Sequence, residues 1–160
     1  MLIFAVRLIL EENGKLLFLR QTKRNGGRYT LIGGNVEEHE FAREALAREA
    51  KEEASIHVEP EDLTLVHTLH RHKLKKNETL LVLYFKASNF SGEPESMETK
   101  KFKDVAWFSP QELPEEVSAP TRHVLKCIKN GEIYSEFPAR SKVMAFWEAI
   151  GENWGGFYTL

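Results

Sequence analysis

Residues 33–56 read GGNVEEHEFAREALAREAKEEASI, and this stretch decides the fold. From Glu40 to Ala54 it holds no Pro or Gly and is rich in Ala, Leu, Glu, Arg and Lys, which predicts an α-helix. At about 100° per residue, Glu49, Glu52 and Glu53 fall on the same side of that helix as its apolar residues. The opposite side already carries enough polar residues to face water, so the three carboxylates have no geometric need to lie on the inner side.

Carboxylates on an apolar helix face require compensation. Like charges three and four residues apart repel weakly in water, but partly buried they cost several kcal/mol unless a cation stands close. A hard divalent cation such as Mg²⁺ is the natural partner, because it prefers carboxylate oxygens and keeps positions for water and phosphates. The alternative is an ordinary Glu-rich surface helix, which composition alone favours and the position on the inner face disfavours.

The pair Gly33-Gly34 precedes the helix. Without side chains, its carbonyls and amides can approach a metal or a phosphate closely, and a helix N-terminus favours anions. A Gly-Gly pair taken alone is more often a simple turn. Together with the three glutamates, it predicts a site for metal and phosphate.

The surrounding sequence predicts strands and helices in irregular alternation. Asn13-Gly14 lies between the apolar runs 2–10 and 15–20, which predicts a hairpin at the start of the chain. Further strands are expected over 63–70, 79–85 and 104–108, with a basic turn over 71–77 and helices over 121–130 and 141–150. Ser109-Pro110-Gln111-Glu112 predicts the start of a further short helix. The fold class is therefore α/β of the α+β kind, with a mixed or largely antiparallel sheet.

Composition bounds the function. The 160 residues carry 22 Lys and Arg against 24 Asp and Glu, a net charge of −2, which argues against binding of duplex nucleic acid. The apolar opening is interrupted by Arg7 and is too short to span a bilayer, so we expect a cytoplasmic protein without membrane contact. The single cysteine, Cys127, excludes an internal disulfide and fits a reducing compartment.

The helix and its approach resemble the Nudix box, G-x5-E-x7-R-E-U-x-E-E-x-G-U, in which U is aliphatic. Gly34, Glu40 and the run 48–56, REAKEEASI, fill every acidic and basic position of that motif at the right spacing. The flanks 31–37 and 105–108 also resemble MutT-type Nudix domains. The resemblance implies a mixed sheet between helices. It extends over residues 1–131, with an aromatic helical extension over 132–160 that we expect to pack on the same domain.

The resemblance implies hydrolysis of a nucleoside diphosphate linked to another group, with Mg²⁺ or Mn²⁺ as cofactor. The implied metal ligands are the three glutamates with a carbonyl of the glycine pair: Glu49, Glu52, Glu53 and Gly34 or Gly33. Arg48 would orient these glutamates and Glu40 would steady the loop before the helix. The general base is left open between Glu49, Glu53 and an acid from a later loop, for which Glu98 is the candidate and a solvated loop acid the equal alternative.

Two positions depart from the Nudix pattern without removing a carboxylate. Ser55 stands where the box has a glycine, at a helix end that commonly adopts a left-handed conformation, so it should cost about 1 kcal/mol. Ile32 stands where a proline often precedes the glycine pair. Both changes bear on stability more than on chemistry.

The substrate class rests on elimination. Relatives that hydrolyse ADP-ribose usually carry a Pro beyond the box, those that hydrolyse diadenosine polyphosphates carry a Tyr there, and those that hydrolyse coenzyme A carry a signature upstream. This sequence has none of the three, which favours a nucleoside triphosphate as substrate, cleaved to monophosphate and pyrophosphate. The alternatives are an ADP-ribose or nucleotide-sugar pyrophosphatase and a nucleotide sensor without turnover. Arg20 is a candidate phosphate contact, although an arginine covering the sheet edge is the commoner case. We expect a monomer or a homodimer.

Overall fold

The computed structural model describes residues 1–151, and two sheets and three helices make up its fold. The strands are β1 Leu2–Ile9, β2 Glu11–Glu12, β3 Lys15–Gln21, β4 Tyr29–Thr30, β5 Gly33–Asn35, β6 Leu63–Lys73, β7 Glu78–Ala87, β8 Phe102–Phe108 and β9 Tyr134–Phe137. The helices are α1 Ala42–Ala54, α2 Ala119–Lys129 and α3 Arg140–Ala149. The predicted helices over 40–54, 121–130 and 141–150 and the predicted strands over 63–70, 79–85 and 104–108 are confirmed.

The larger sheet has the strand order β5-β1-β7-β6-β9 and is mixed. β1 is parallel to β7 and antiparallel to β5, while β6 is antiparallel to β7 and parallel to β9. The smaller sheet places β3 between β8 on one side and β2 and β4 on the other. The mixed α+β architecture predicted from the sequence is confirmed.

The two faces of β1 bury different cores, as the two-residue period of a strand requires. Val6 and Leu8 pack in a cluster with Leu46 of α1. Ala5 packs in a second cluster with Val124 of α2. The larger sheet therefore lies between α1 and α2, as the resemblance implies.

The opening of the chain differs from the predicted hairpin. Asn13 and Gly14, both with positive φ, do form a two-residue turn, but it joins β3 to the two-residue strand β2 only. The apolar run of β1 belongs to the other sheet. The two runs part near Leu10, whose carbonyl still accepts a hydrogen bond from the Leu17 amide at 3.0 Å.

Three further expectations need correction or completion. The segment from Ser109 forms an isolated turn rather than a helix, with the Glu112 amide donating to the Ser109 carbonyl at 3.0 Å. The strand β6 continues through Lys73, so the predicted basic turn shrinks to a short 3₁₀ turn, Leu74–Lys76. β9 was not predicted, and its pairing with β6 brings part of the segment 132–160 into the larger sheet.

Of the aromatic residues in that segment, Trp154, Phe157 and Tyr158 lie outside the described residues. Phe137 and Phe146 lie within them, and Phe137 packs against the cluster that contains Val124 of α2. Within residues 1–151, no helix combines the length and the apolar character that a membrane span requires.

Candidate functional site

Glu53 is the most buried carboxylate of the predicted site. It lies on the last turn of α1, is 1% exposed, and its Oε1 atom accepts a hydrogen bond from the Gly33 amide at 2.8 Å. Its Oε2 atom lies 3.5 Å from the Lys101 ammonium. Burial raises the pKa of Glu53 to about 7, although the Gly33 amide and the Lys101 charge both favour the ionised form. The hydrogen bond from Gly33 and the charge of Lys101 therefore do not fully offset the cost of burying the ionised Glu53 carboxylate.

The glycine pair lies beside the C-terminal end of α1. Gly33 and Gly34 lie in β5 and pair with Arg7 and Val6 of β1, whereas α1 begins eight residues after Gly34, at Ala42. The expectation that the pair leads into a helix N-terminus, with its preference for anions, is wrong. What the pair approaches closely is the row of glutamates on the last turns of the helix.

Both glycines are required by space. A Cβ atom on Gly33 would lie 2.0 Å from the Val6 carbonyl oxygen of the paired strand. A Cβ atom on Gly34 would lie 2.1 Å from Oε1 of Glu49. The first contact is with the backbone of a paired strand, so the missing side chain of Gly33 allows β5 to pair with β1. The second contact is with a carboxylate, so Gly34 leaves room for Glu49.

Arg48 binds the other glutamates of the motif. Its Nε and Nη2 atoms donate to the two carboxylate oxygens of Glu40 at 2.7 and 3.1 Å, in the bidentate geometry that favours arginine. Its Nη1 atom donates to Glu49 at 3.0 Å and to Glu52 at 3.2 Å. A guanidinium shared by three carboxylates holds the pKa of Glu40 below its usual value.

Glu40 connects this network to the loop before the helix. Its Oε2 atom also accepts a hydrogen bond from the Glu37 amide at 3.0 Å, and Arg48 reaches the Asn35 carbonyl at 3.3 Å. These bonds fix the segment between β5 and α1 against the helix. Glu40 therefore joins the loop to the helix through both of its carboxylate oxygens.

The three glutamates are not equally buried. The side chain of Glu49 is 13% exposed and that of Glu52 is 49% exposed, against 1% for Glu53. The placement of Glu52 on the inner face of the helix is therefore wrong. Glu52 lies at the edge of that face, where its carboxylate accepts a hydrogen bond from Arg48 and is exposed to solvent.

Glu98, the candidate acid from a later loop, does lie near Glu53. The loop is bound to the end of α1, because the Met97 amide donates to the Glu53 carbonyl at 3.0 Å. The Oε2 atom of Glu98 is buried, accepts no hydrogen bond from the described residues and lies 3.7 Å from the Lys101 ammonium. Lys101 thus stands between the two carboxylates and partly neutralises both.

Arg20 points elsewhere. Its guanidinium lies over the Tyr29 ring, 4.5 Å from the centroid, and 3.7 Å from the Glu116 carboxylate. It does not line the cavity beside Glu53. In this arrangement the neighbouring residue Gln21, on the other face of β3, lines that cavity instead.

The cavity beside Glu53 has a volume of about 170 Å³ and lies over the larger sheet, close to the start of α2. Three further charged residues line it together with Glu53: Arg7, Arg71 and Lys101. The sequence marked Arg71 as part of a basic cluster, interpreted as a turn, and did not single out Arg7 or Lys101 as site residues. Arg7 carried a usable signal, because it is a lone charge in an apolar strand. Lys101 carried none, since it belongs to a run of basic residues that is typical of a solvated loop.

The donor set fits a hard divalent cation in its chemistry. Burial raises the pKa of Glu53 to about 7, and the buried oxygen of Glu98 lacks a hydrogen-bond donor, so additional positive charge here is favourable. In the arrangement observed, however, no three acidic, His or Cys side chains among residues 1–151 stand ready to hold a metal. The reason is that Arg48 draws Glu49 and Glu52 to itself while Gly33 and Lys101 hold Glu53.

The chain is similar to known proteins in sequence and in fold. A family model for the NUDIX domain matches residues 2–127. The curated protein named Nucleoside triphosphatase NudI from Salmonella agona (strain SL483) is 27% identical over 126 residues, which cover 73% of this chain and 89% of the relative. A MutT-like protein from Streptomyces ambofaciens is 32% identical over 114 residues, which cover 69% of this chain and 66% of the relative.

Solved structures of MutT proteins have the same fold as this chain. A MutT NUDIX hydrolase from Burkholderia pseudomallei superposes with a TM-score of 0.72 at 25% identity, over 79% of this chain and 97% of the other. The MutT protein from Methanosarcina mazei Go1 superposes with a TM-score of 0.70 at 20% identity, over 81% and 94%, which supports the fold alone.

Proposed function

This chain belongs to the Nudix family of hydrolases, and from that premise we propose that it cleaves a nucleoside triphosphate to the monophosphate and pyrophosphate with Mg²⁺. The observation that carries the proposal is the complete set of box carboxylates: Arg48 binds Glu40, Glu49 and Glu52, and Glu53 lines a cavity of about 170 Å³. The names of the two curated relatives, a nucleoside triphosphatase and a MutT-like protein, support a triphosphate substrate.

The proposed metal ligands are Glu49, Glu52 and Glu53, with a backbone carbonyl of Gly33 or Gly34. The cation would supply charge for the diphosphate oxygens and lower the pKa of the attacking water. Arg48 holds Glu40 and the loop before α1 in place, and Glu49 and Glu52 would leave Arg48 to bind the cation. Lys101 screens the repulsion between Glu53 and Glu98, which would otherwise oppose binding of an anionic substrate.

Glu98 is our proposed general base. Its buried Oε2 atom has no hydrogen-bond donor among the described residues, so a lone pair is free to accept a proton from water. Its loop is attached to the end of α1 through the Met97 amide, which keeps the carboxylate near Glu53. Glu49 and Glu53, the other two candidates, are occupied by Arg48 and by Gly33.

A phosphate-release screen with Mg²⁺ tests the proposed function. Triphosphates are compared with and without added inorganic pyrophosphatase, whereas ADP-ribose, nucleotide sugars and dinucleoside polyphosphates, whose products carry terminal phosphates, are assayed with added alkaline phosphatase. We expect phosphate from triphosphates only when the pyrophosphatase is present, since the direct product is pyrophosphate. Phosphate without it contradicts the proposed cleavage, turnover of diphosphate-linked substrates alone favours the nucleotide-sugar alternative, and binding without turnover favours a sensor.

A further inference from the structure

Two arginines rise from one face of the larger sheet into the cavity beside Glu53. Arg7 lies on β1 and Arg71 on β6, with β7 between them. In register, Arg7 lies opposite Tyr84 and Arg71 opposite Leu80. Both point to the side of the sheet on which the α2 cluster is buried, so their charges face the interior of the cavity.

Neither guanidinium has a counter-charge in the part of the chain that the structure describes. No carboxylate of residues 1–151 forms an ion pair with Arg7 or Arg71. The buried Nε atom of Arg71 has no hydrogen-bond acceptor, and Arg7 donates to the Val6 carbonyl at 2.7 Å. Burial and the nearby charge of Arg7 lower the pKa of Arg71. The cavity therefore has donors in excess and needs acceptors from a ligand.

The rest of the lining indicates what kind of group supplies those acceptors. It has both polar members, Gln21, Thr30, Tyr84, Ser118 and Thr121, and apolar members, Leu31, Leu69, Leu80, Val82 and Phe102. A phosphate is polar on all sides and gains nothing from the apolar members, whereas a nucleobase offers apolar faces to them and polar atoms along its edges to the others. Arginine is the side chain best suited to the acceptor edge of a base, because it donates two parallel hydrogen bonds.

We propose that Arg7 and Arg71 read the keto oxygen of the nucleobase, so that this site prefers bases with a carbonyl at the recognised edge over bases with an amino group there. This inference rests on the proposed function, since it names the substrate class of that same site. Guanine, hypoxanthine, uracil and thymine belong to the preferred class, and adenine and cytosine to the disfavoured class.

The preference follows from donor and acceptor matching. A guanidinium only donates, and a carbonyl oxygen accepts two hydrogen bonds. An exocyclic amino group also donates, so it opposes the arginines and leaves them unpaired inside a cavity. Sites built to bond one group reject an analogue that lacks it, and one bidentate arginine contact discriminates by about tenfold or more.

Two matched substrate pairs isolate this feature. Inosine and adenosine triphosphates differ at position 6 of the purine, and uridine and cytidine triphosphates differ at position 4 of the pyrimidine, in each case by keto against amino. We expect kcat/KM to favour the keto member of at least one pair by about tenfold or more. A ratio close to one in both pairs overturns the inference.

Variants identify the residues that read the base. In Arg71→Met and Arg7→Met we expect the keto-to-amino ratio to fall to about twofold or less, while Arg24→Met, which removes an exposed arginine of the same charge, keeps the wild-type ratio. An equal loss on all four substrates would show that the arginines hold phosphate, which overturns the inference. Arg71→Lys keeps the charge without the planar pair of donors and should also lose the preference; it replaces Arg71→Met should that variant not fold.

Binding separates this inference from the proposed function. Titration calorimetry with inosine, adenosine, uridine and cytidine monophosphates needs no turnover. A keto preference in binding without triphosphate hydrolysis contradicts the proposed reaction and supports the reading by Arg7 and Arg71. Hydrolysis of triphosphates with no keto preference in binding or turnover supports the proposed reaction and contradicts base recognition by Arg7 and Arg71.

Discussion

At the scale of single residues, the two glycines of β5 have different duties although they are neighbours. Gly33→Ala brings a Cβ atom within 2.0 Å of the Val6 carbonyl, so we expect a loss of more than about 2 kcal/mol in the free energy of unfolding. Gly34→Ala instead displaces the Glu49 carboxylate, so we expect lower kcat with a smaller loss of stability. Urea unfolding and steady-state kinetics on both variants measure the contrast.

Gly131→Ala is the matched control, because a Cβ atom there meets nothing within 4 Å and only its positive φ is strained. We expect it to lose stability modestly and to keep its activity. Equal stability losses in the two β5 variants, or full activity in Gly34→Ala, would contradict the division of roles between Gly33 and Gly34.

Arg48 and Glu40 form the second residue-scale prediction. Arg48→Lys keeps the charge but cannot donate to both oxygens of Glu40, so we expect a loss of about 1–3 kcal/mol in stability. In a double-mutant cycle with Glu40→Gln, the two losses should be non-additive by at least about 0.5 kcal/mol. Additive losses would mean that the pair does not act as one unit.

The motif residues could be predicted from the sequence because fixed spacing along one helix determines which of them are neighbours. Arg48 and Glu53 needed no tertiary information. Lys101 could not be predicted, since it reaches the site from a distant loop, and Arg71 was assigned to the basic turn because its strand is longer than expected. Their charge alone reads as a solvated surface.

At the scale of elements, the end of α1 is strained. Ser55 caps the helix in the left-handed region at φ 57°, and its amide donates to the Lys51 carbonyl at 3.2 Å. Because glycine adopts this conformation freely, Ser55→Gly should stabilise the protein by about 1 kcal/mol with unchanged kcat. Chemical denaturation measures the gain.

Asn77→Gly is the control for the helix end. Asn77 has a similar φ of 50°, but asparagine tolerates the left-handed region, so we expect a smaller gain there. A destabilised Ser55→Gly variant, or equal gains at the two positions, would show that the serine is not under conformational strain.

The elements were predicted where the local pattern was strong. The run from Glu40 to Ala54 has helical composition throughout, and the structure has a helix there. The isolated turn at Ser109 carries the residues that begin a helix but no apolar periodicity to extend it, so no helix follows. β9 was missed because Tyr134 to Phe137 is short and gains its partner, β6, from far away in the chain.

At the scale of the whole molecule, cation binding should be coupled to stability. A ligand that binds only the folded state raises the melting temperature, and at ten times its dissociation constant Mg²⁺ should add about 3–6 °C. Glu53→Gln should abolish that increase, since it removes a buried acidic ligand. Thermal unfolding with Mg²⁺ and after chelation measures it, and an equal increase in Glu53→Gln would place the cation elsewhere.

The most direct test of the central claim is kcat/KM for triphosphate hydrolysis by Glu53→Gln. Glutamine keeps the Oε1 acceptor for the Gly33 amide, so the fold should survive, while the negative charge for the metal is lost. We predict a fall of about a hundredfold or more against wild type and against Glu38→Gln, an exposed control on the same segment. Wild-type turnover in a folded Glu53→Gln variant would contradict the account of this site.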